Sequence, residues 1–431
     1  MVPLLLLLLL LLAFPLHASS STHIPTLSPG DRQALLDIRQ SLHDLPGSTF
    51  FSSWVISSGD TANPCSTFAG VFCSLDDEAH PLFLRVSALT LGTGLSDSPG
   101  LGGSLPPSIA NLTALTELVV FPGRVSGPIP LELGSTFPRL RLLSISGNRI
   151  LGPIPPSLSG LPFLHTLDLS QNQLQGPLPA AILASNPSLK VLILASNGGL
   201  CGDLPPELSS SVALLHLDLR DNSFTGSLPP LPPSIRYLSV SLNSMSGHLS
   251  PAFAGANIPS LQFLDLSGNS FDGALPPAIF AFPQLSSIFL QRNNLSGPLP
   301  LHRPPSSSPP WAVVDLSHNM LTGGAPAWLA GAKNLYLNDN QLRGSLPADF
   351  ISGIYNGSMI TLYAQRNFLS SFSLPPPADP PEVPSSASLC LSYNCVAPPA
   401  AVVSGCPIGS RARQPRPADQ CAGGVTRAGH G

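Results

Sequence analysis

Charge is what this sequence most lacks. Only 42 of its 431 residues are charged (19 Lys and Arg, 23 Asp and Glu), 10% against roughly 25% in an ordinary soluble domain. With a net of −4 and no basic run, the chain has nothing along its length to neutralise phosphates, which argues against a nucleic-acid binder. Aromatic residues make up only 6%. The signatures of common catalytic centres are missing too: there is no G-x-S-x-G elbow, P-loop, G-x-G-x-x-G after a strand, or H-E-x-x-H. No C-x-x-C pair occurs, and the ten histidines are scattered without metal-ligand spacing, so no cofactor or metal is expected. After the first residues no window holds the roughly 20 apolar residues that span a bilayer.

What the chain has in excess is proline (51) and glycine (37). Proline lacks the amide donor that helix interiors need, which excludes a helical bundle or coiled coil. A 43% hydrophobic content can still fill a large core. Leu4 to Leu12 form an uninterrupted leucine run followed by Ala18-Ser19-Ser20, the layout of a secretory signal over residues 1–20. The expected mature protein is therefore secreted, soluble and without a membrane anchor.

The chain also repeats itself. His165-Thr166-Leu167-Asp168-Leu169-Ser170-Gln171-Asn172 returns as His216-Leu217-Asp218-Leu219-Arg220-Asp221-Asn222, and again around Leu264, Asp265, Leu266 and Asn269. Asparagines recur at 148, 172, 197, 222, 243, 269, 293, 319, 340 and 367, at intervals of about 24. About twelve units fit between residues 85 and 370. In each, an L-x-L segment alternates with period two and forms a short strand with its leucines inward. The asparagine amide both donates and accepts, so a column of them can satisfy successive turns. The following Gly-x-Leu-Pro opens a return segment on the convex side, expected to be irregular or 3-10. Stacked units bury a common core that none could build alone. The expected fold is an α/β repeat solenoid, a right-handed superhelix with a concave parallel sheet.

The pattern L-x-x-L-x-L-x-x-N-x-L-x-G-x-I/L-P resembles the plant-type extracellular leucine-rich repeats of receptor kinases, receptor-like proteins and polygalacturonase inhibitors. Asp31-Arg32-Gln33-Ala34-Leu35-Leu36, Trp54 and Asn63-Pro64-Cys65 to Cys73 resemble that family's N-terminal cap, placed at 21–84, with Phe68 where tryptophan is common. Ser28-Pro29 reads as the helix start, a serine cap before proline. After a proline-rich linker at 371–387, Ser388 to Cys395 with Cys406 and Cys421 resembles the C-terminal cap of secreted members that lack a transmembrane helix and a kinase domain, here 388–431.

In a secreted chain the cysteines read as disulfides. Cys65 and Cys73 bracket one loop, Cys390, Cys395, Cys406 and Cys421 leave three pairings open, and Cys201 is left over. Asn111, Asn294 and Asn356 begin glycosylation sequons, whereas Asn186 is excluded by Pro187. The repeated Asp168, Asp218, Asp265 and Asp315 read as solvated residues of the sheet face.

Early repeats offer mainly small or apolar groups outward: Val119, Phe121, Ser144, Ser146, Ile193 and Ala195. Later ones present His216, Asp218, Arg220, Tyr237, Phe263, Asp265, Phe289, Gln291, Arg292, Tyr336 and Tyr363, the aromatic and arginine anchors that binding hot spots use. The expected function is non-enzymatic recognition, in signalling or defence, of an extracellular protein, peptide or wall polysaccharide, with a membrane receptor kinase as a further expected partner. That partner would hold the chain peripherally at the plasma membrane. The alternatives are a structural wall scaffold and an inhibitor of microbial wall-degrading enzymes.

Overall fold

The computed structural model describes residues 25–55, 63–76, 83–94, 99–253, 255–302, 311–372, 383–397, 406 and 414–421. The expected signal at 1–20 and most of the linker at 371–387 lie outside them.

The L-x-L segments form one parallel sheet. Thirteen strands, from Phe83–Leu91 to Ser388–Cys390, pair in chain order; Thr26–Leu27 and the antiparallel Val71–Leu75 complete fifteen at the N-terminal edge. The central residue of each short strand points inward. Leu167, Leu192, Leu217 and Leu264 are at most 1% exposed, as are Leu169, Leu194, Leu219 and Leu266 two places on.

From Leu142–Ser144 onward the strands turn through a left-handed residue. Gln171, Ser196, Asp221, Leu242, Arg292, His318, Asp339 and Arg366 all have φ between 54° and 57°, and glycine stands there at 147 and 268. A non-glycine residue pays roughly 1–2 kcal/mol in this region, and the asparagine that follows holds it there. Asn172 Oδ1 accepts from Ile150 N–H of the preceding repeat (2.9 Å), while its Nδ2 donates to Ile145 O (2.8 Å), Leu169 O (3.2 Å) and Ser170 O (3.0 Å). The pattern recurs through Asn269, Asn319 and Asn367. It also extends one unit further, to Asn394, which accepts from Leu369 N–H and donates to Ala364 O.

The convex side is more ordered than the sequence suggests. The expected 3-10 turns are present, as at Pro156–Gly160, Pro206–Ser210 and Pro277–Ala281. Before them, however, the segment between asparagine and glycine forms a second layer of parallel strands. Leu101–Ser104, Arg124–Gly127, Arg149–Gly152, Gln173–Gly176, Gly199–Asp203 and Ser223–Thr225 pair in series, and Ser246–His248 to Met320–Thr322 continue as a separate sheet. In most of these strands one apolar residue, such as Leu174 or Phe224, anchors the layer in the core, and Met245 does so from just before Ser246–His248. Gly176, at φ +82°, then turns the chain into the proline step.

At the N-terminus, helix α1 (Pro29–Ser41) begins with proline as expected, but the Ser28 side chain makes no capping bond. Asp31 instead ties the helix to the first repeat, accepting from Val86 N–H (2.7 Å) and Arg85 Nε (3.1 Å). It is 1% exposed, and burial pushes its carboxyl above the usual aspartate range. Trp54 stacks on Phe68 at 4.8 Å and donates to Ala69 O, so phenylalanine fills the place expected for tryptophan. Cys65 pairs with Cys73, Cys390 with Cys406 and Cys395 with Cys421, leaving Cys201 free and half-buried. At the C-terminus Arg416 lies over the rings of Phe368 (4.0 Å) and Tyr393 (4.8 Å) and donates to Asn367 O.

Candidate ligand-binding face

Side chains on either side of each inward leucine line up across the concave sheet in columns. In the first column His216, Tyr237 and Phe263 occupy paired positions on His216–Asp218, Tyr237–Ser239 and Phe263–Asp265. Their rings stack face to face, His216 on Tyr237 at 4.1 Å and 1°, Tyr237 on Phe263 at 4.4 Å and 5°. Phe289 stands opposite Asp265, one column over, so its ring meets Phe263 diagonally at 5.5 Å and 43°. Beyond the strand of Asp315, Tyr336 and Tyr363 make an edge-to-face pair at 5.4 Å. All six rings are half-buried. The structure thus joins four of the six aromatic candidates into one row and sets the tyrosine pair apart.

The electrostatics follow from burial. His216 is held below the ordinary histidine range because desolvation disfavours the imidazolium, the nearby Asp218 opposing this. Tyr237 is pushed up by burial and then by Asp218.

The aspartates differ from expectation. Asp218 is 4% exposed and Asp168, Asp265 and Asp315 are half-buried, not freely solvated. Oδ1 of Asp168, Asp265 and Asp315 accepts from both the backbone N–H and the hydroxyl of the serine two residues on, at 2.6–3.0 Å. These carboxylates therefore end the strand by holding its turn. Asp218 does the same with Arg220 N–H and faces Arg220 Nε at 3.6 Å. Burial raises Asp218 and Asp315. Arg292 occupies a left-handed turn position, so it belongs to the rim of the face and not to a strand. Gln291 and Gln365, both on the concave side, keep a buried Oε1 without a partner among the described residues.

The sequon asparagines are exposed and lie off the concave sheet: Asn111 ends a 3-10 turn, Asn294 opens a second-layer strand and Asn356 ends the helix Ala348–Asn356. Among the described residues no three His, Cys, Asp or Glu converge as metal ligands, and no helix is long and apolar enough to cross a membrane.

Two family models match: the leucine rich repeat N-terminal domain over 28–74, and the leucine rich repeat over 139–161, 163–184, 213–235 and 260–282. No curated protein sequence matches. Among solved structures, PEPR1–AtPEP1 is similar at 27% identity and TM-score 0.63, covering 86% of this chain and 56% of that one. A TDR receptor is similar at 26% and 0.59, covering 70% and 56%. The GASSHO1/SCHENGEN3 ectodomain from Arabidopsis thaliana, in complex with CASPARIAN STRIP INTEGRITY FACTOR 2, shares the fold at 23% and 0.52, covering 84% and 50%. The chain spans about half the length of these ectodomains. With its asparagine ladder, matched N-terminal domain and repeats, and terminal disulfides, the protein is a leucine-rich-repeat solenoid similar in fold to these structures.

Proposed function

We propose that this protein is a secreted, non-enzymatic recognition module that binds an extended peptide, or a segment of an extracellular protein, across the concave face. The continuous row from His216 to Phe289 carries the proposal. It offers about four strands' width of half-buried aromatic surface on a rigid sheet, so little ordering is needed on binding. The rings of Tyr237 and its neighbours occupy one another's faces and leave their edges outward. A sugar ring cannot stack on Tyr237, so a peptide is favoured over a wall polysaccharide. Glycans on Asn111, Asn294 and Asn356 would leave this face clear. The PEPR1–AtPEP1 likeness supports the same reading.

The test is capture of ligands from secreted peptide fractions on the immobilised protein, followed by calorimetry with each purified ligand. Tyr237→Ala and Phe289→Ala should each weaken binding by about 1–2 kcal/mol, and Ser144→Ala should change almost nothing. Equal losses from Ser144→Ala, or loss only on altering convex residues, would refute the reading.

A further inference from the structure

A second surface runs along the edge of the concave sheet, where the chain enters each strand. The residue just before the strand is Arg141, then His165, Lys190, Leu215 and Arg236 in successive repeats. They are aligned by the backbone bonds His165 N to Arg141 O, Lys190 N to His165 O, Leu215 N to Lys190 O and Arg236 N to Leu215 O. Four strand spacings separate Arg141 from Arg236, about 19 Å. The four cationic or titratable members are exposed. Lys333, further along the same column, is the only other lysine of the chain. Among the described residues no ion pair is formed by Arg141, Lys190 or Arg236. Glu117, near the first of them, is the one acidic side chain lining the cavity of about 400 Å³ there, with Thr116, Arg139, Arg141 and Phe163.

The edge is apolar as well as basic. Phe163 is 55% exposed and Val212 is 69% exposed, two and four residues before His165 and His216 respectively, on the turns that feed the same strands. In a chain so poor in charge, exposed cations aligned without ion-pair partners near exposed apolar side chains offer complementarity to an acidic, partly apolar ligand.

We propose that this edge binds an acidic, partly apolar polypeptide segment in extended form, on a surface distinct from the concave aromatic row. Same-face side chains of an extended segment lie about 6.8 Å apart, within reach of arginine and lysine stems rooted one strand spacing apart. An anionic polysaccharide would satisfy the cations but leave Phe163 and Val212 uncovered. A nucleic acid fits less well, because Leu215 interrupts the row and Glu117 stands at its head.

The experiment uses the full chain and a synthetic twelve-residue probe alternating Glu and Ser with one central Phe, with oligogalacturonate as the polysaccharide arm. Biosensor binding should be measurable at 50 mM NaCl and at least about tenfold weaker at 300 mM, because exposed ion pairs are screened. Arg141→Glu with Lys190→Glu should weaken it by at least tenfold and Phe163→Ala by about threefold. Arg124→Glu with Arg149→Glu, on the second layer, and Tyr237→Ala, on the concave row, should leave it unchanged. Melting curves identify any variant that fails to fold; a folded charge-reversed protein that binds normally overturns the proposal. So does absence of binding at low salt, or tighter binding of oligogalacturonate that is indifferent to Phe163→Ala.

Discussion

Removing the amide of Asn172 tests the ladder at its best-defined rung. Asn172→Ala takes away the acceptor of Ile150 N–H and a donor shared among three carbonyls, two of them on Ile145 and Leu169. Ile145, Ile150 and Leu169 are at most 1% exposed, so water cannot take the place of the amide. One orphaned buried donor costs about 1–3 kcal/mol, and the carbonyls add less because each retains a second lone pair; about 2–3 kcal/mol is expected. The unfolding entropy of a chain this long makes that only about 2–4 °C in melting temperature, so differential scanning calorimetry is the suitable assay. Asn172→Asp should do worse at pH 7. It keeps the acceptor for Ile150 but turns a carboxylate toward three carbonyls, and its deficit should shrink as acid protonates it. The exposed neighbour Gln173→Ala is the control. If Asn172→Ala melts with Gln173→Ala, or Asn172→Asp is tolerated, the ladder does not hold the turns as described.

Three further outcomes can be checked by standard measurements. Leu242 is 59% exposed at φ 54°, so Leu242→Gly should raise stability by about 0.5–1 kcal/mol, read from chemical denaturation; a loss would mean that its side chain contributes more than its backbone costs. Burial raises the Asp218 carboxyl above 3.8, so the native state holds that proton to higher pH than the unfolded chain does. Its contribution is present below 3.8 and lost as pH rises through the native value; wild type should therefore gain on Asp218→Asn between pH 7 and 4 in denaturation series, and an opposite trend would contradict the burial argument. Thiol titration in denaturant without reductant should find one thiol, Cys201, and two or more would contradict the three bridges.

The concave layer was legible because its signals are local and periodic: an inward leucine every second residue and an asparagine every 24 or so. Other features depend on register. Gln173-Leu174-Gln175-Gly176 carries one apolar residue, too little to announce a strand, and becomes one only beside its neighbours in the second layer. The shift of Phe289 into the next column was hidden, since spacing alone does not give register. The cationic edge was invisible for a similar reason. Arg141, His165, Lys190 and Arg236 lie 24–46 residues apart in sequence, so no basic run exists until the solenoid brings them together. Asp218 read as solvated because sequence pattern shows the face of a strand but not how deeply its neighbours cover it.

The closure of both ends bears on how this molecule comes apart. A solenoid touches only its neighbours, so it ordinarily melts by peeling from a terminus, where a unit has one interface to lose. Here the first unit is tied by Asp31 to Arg85 and Val86, with the Cys65–Cys73 bridge alongside, and the last lies beneath Arg416 and two disulfides. Opening then has to begin inside, where separating two strands exposes two fresh edges at once. Half-melted forms are disfavoured, and a long, one-dimensional stack should unfold as a single unit, giving proteases few partly open states to cut.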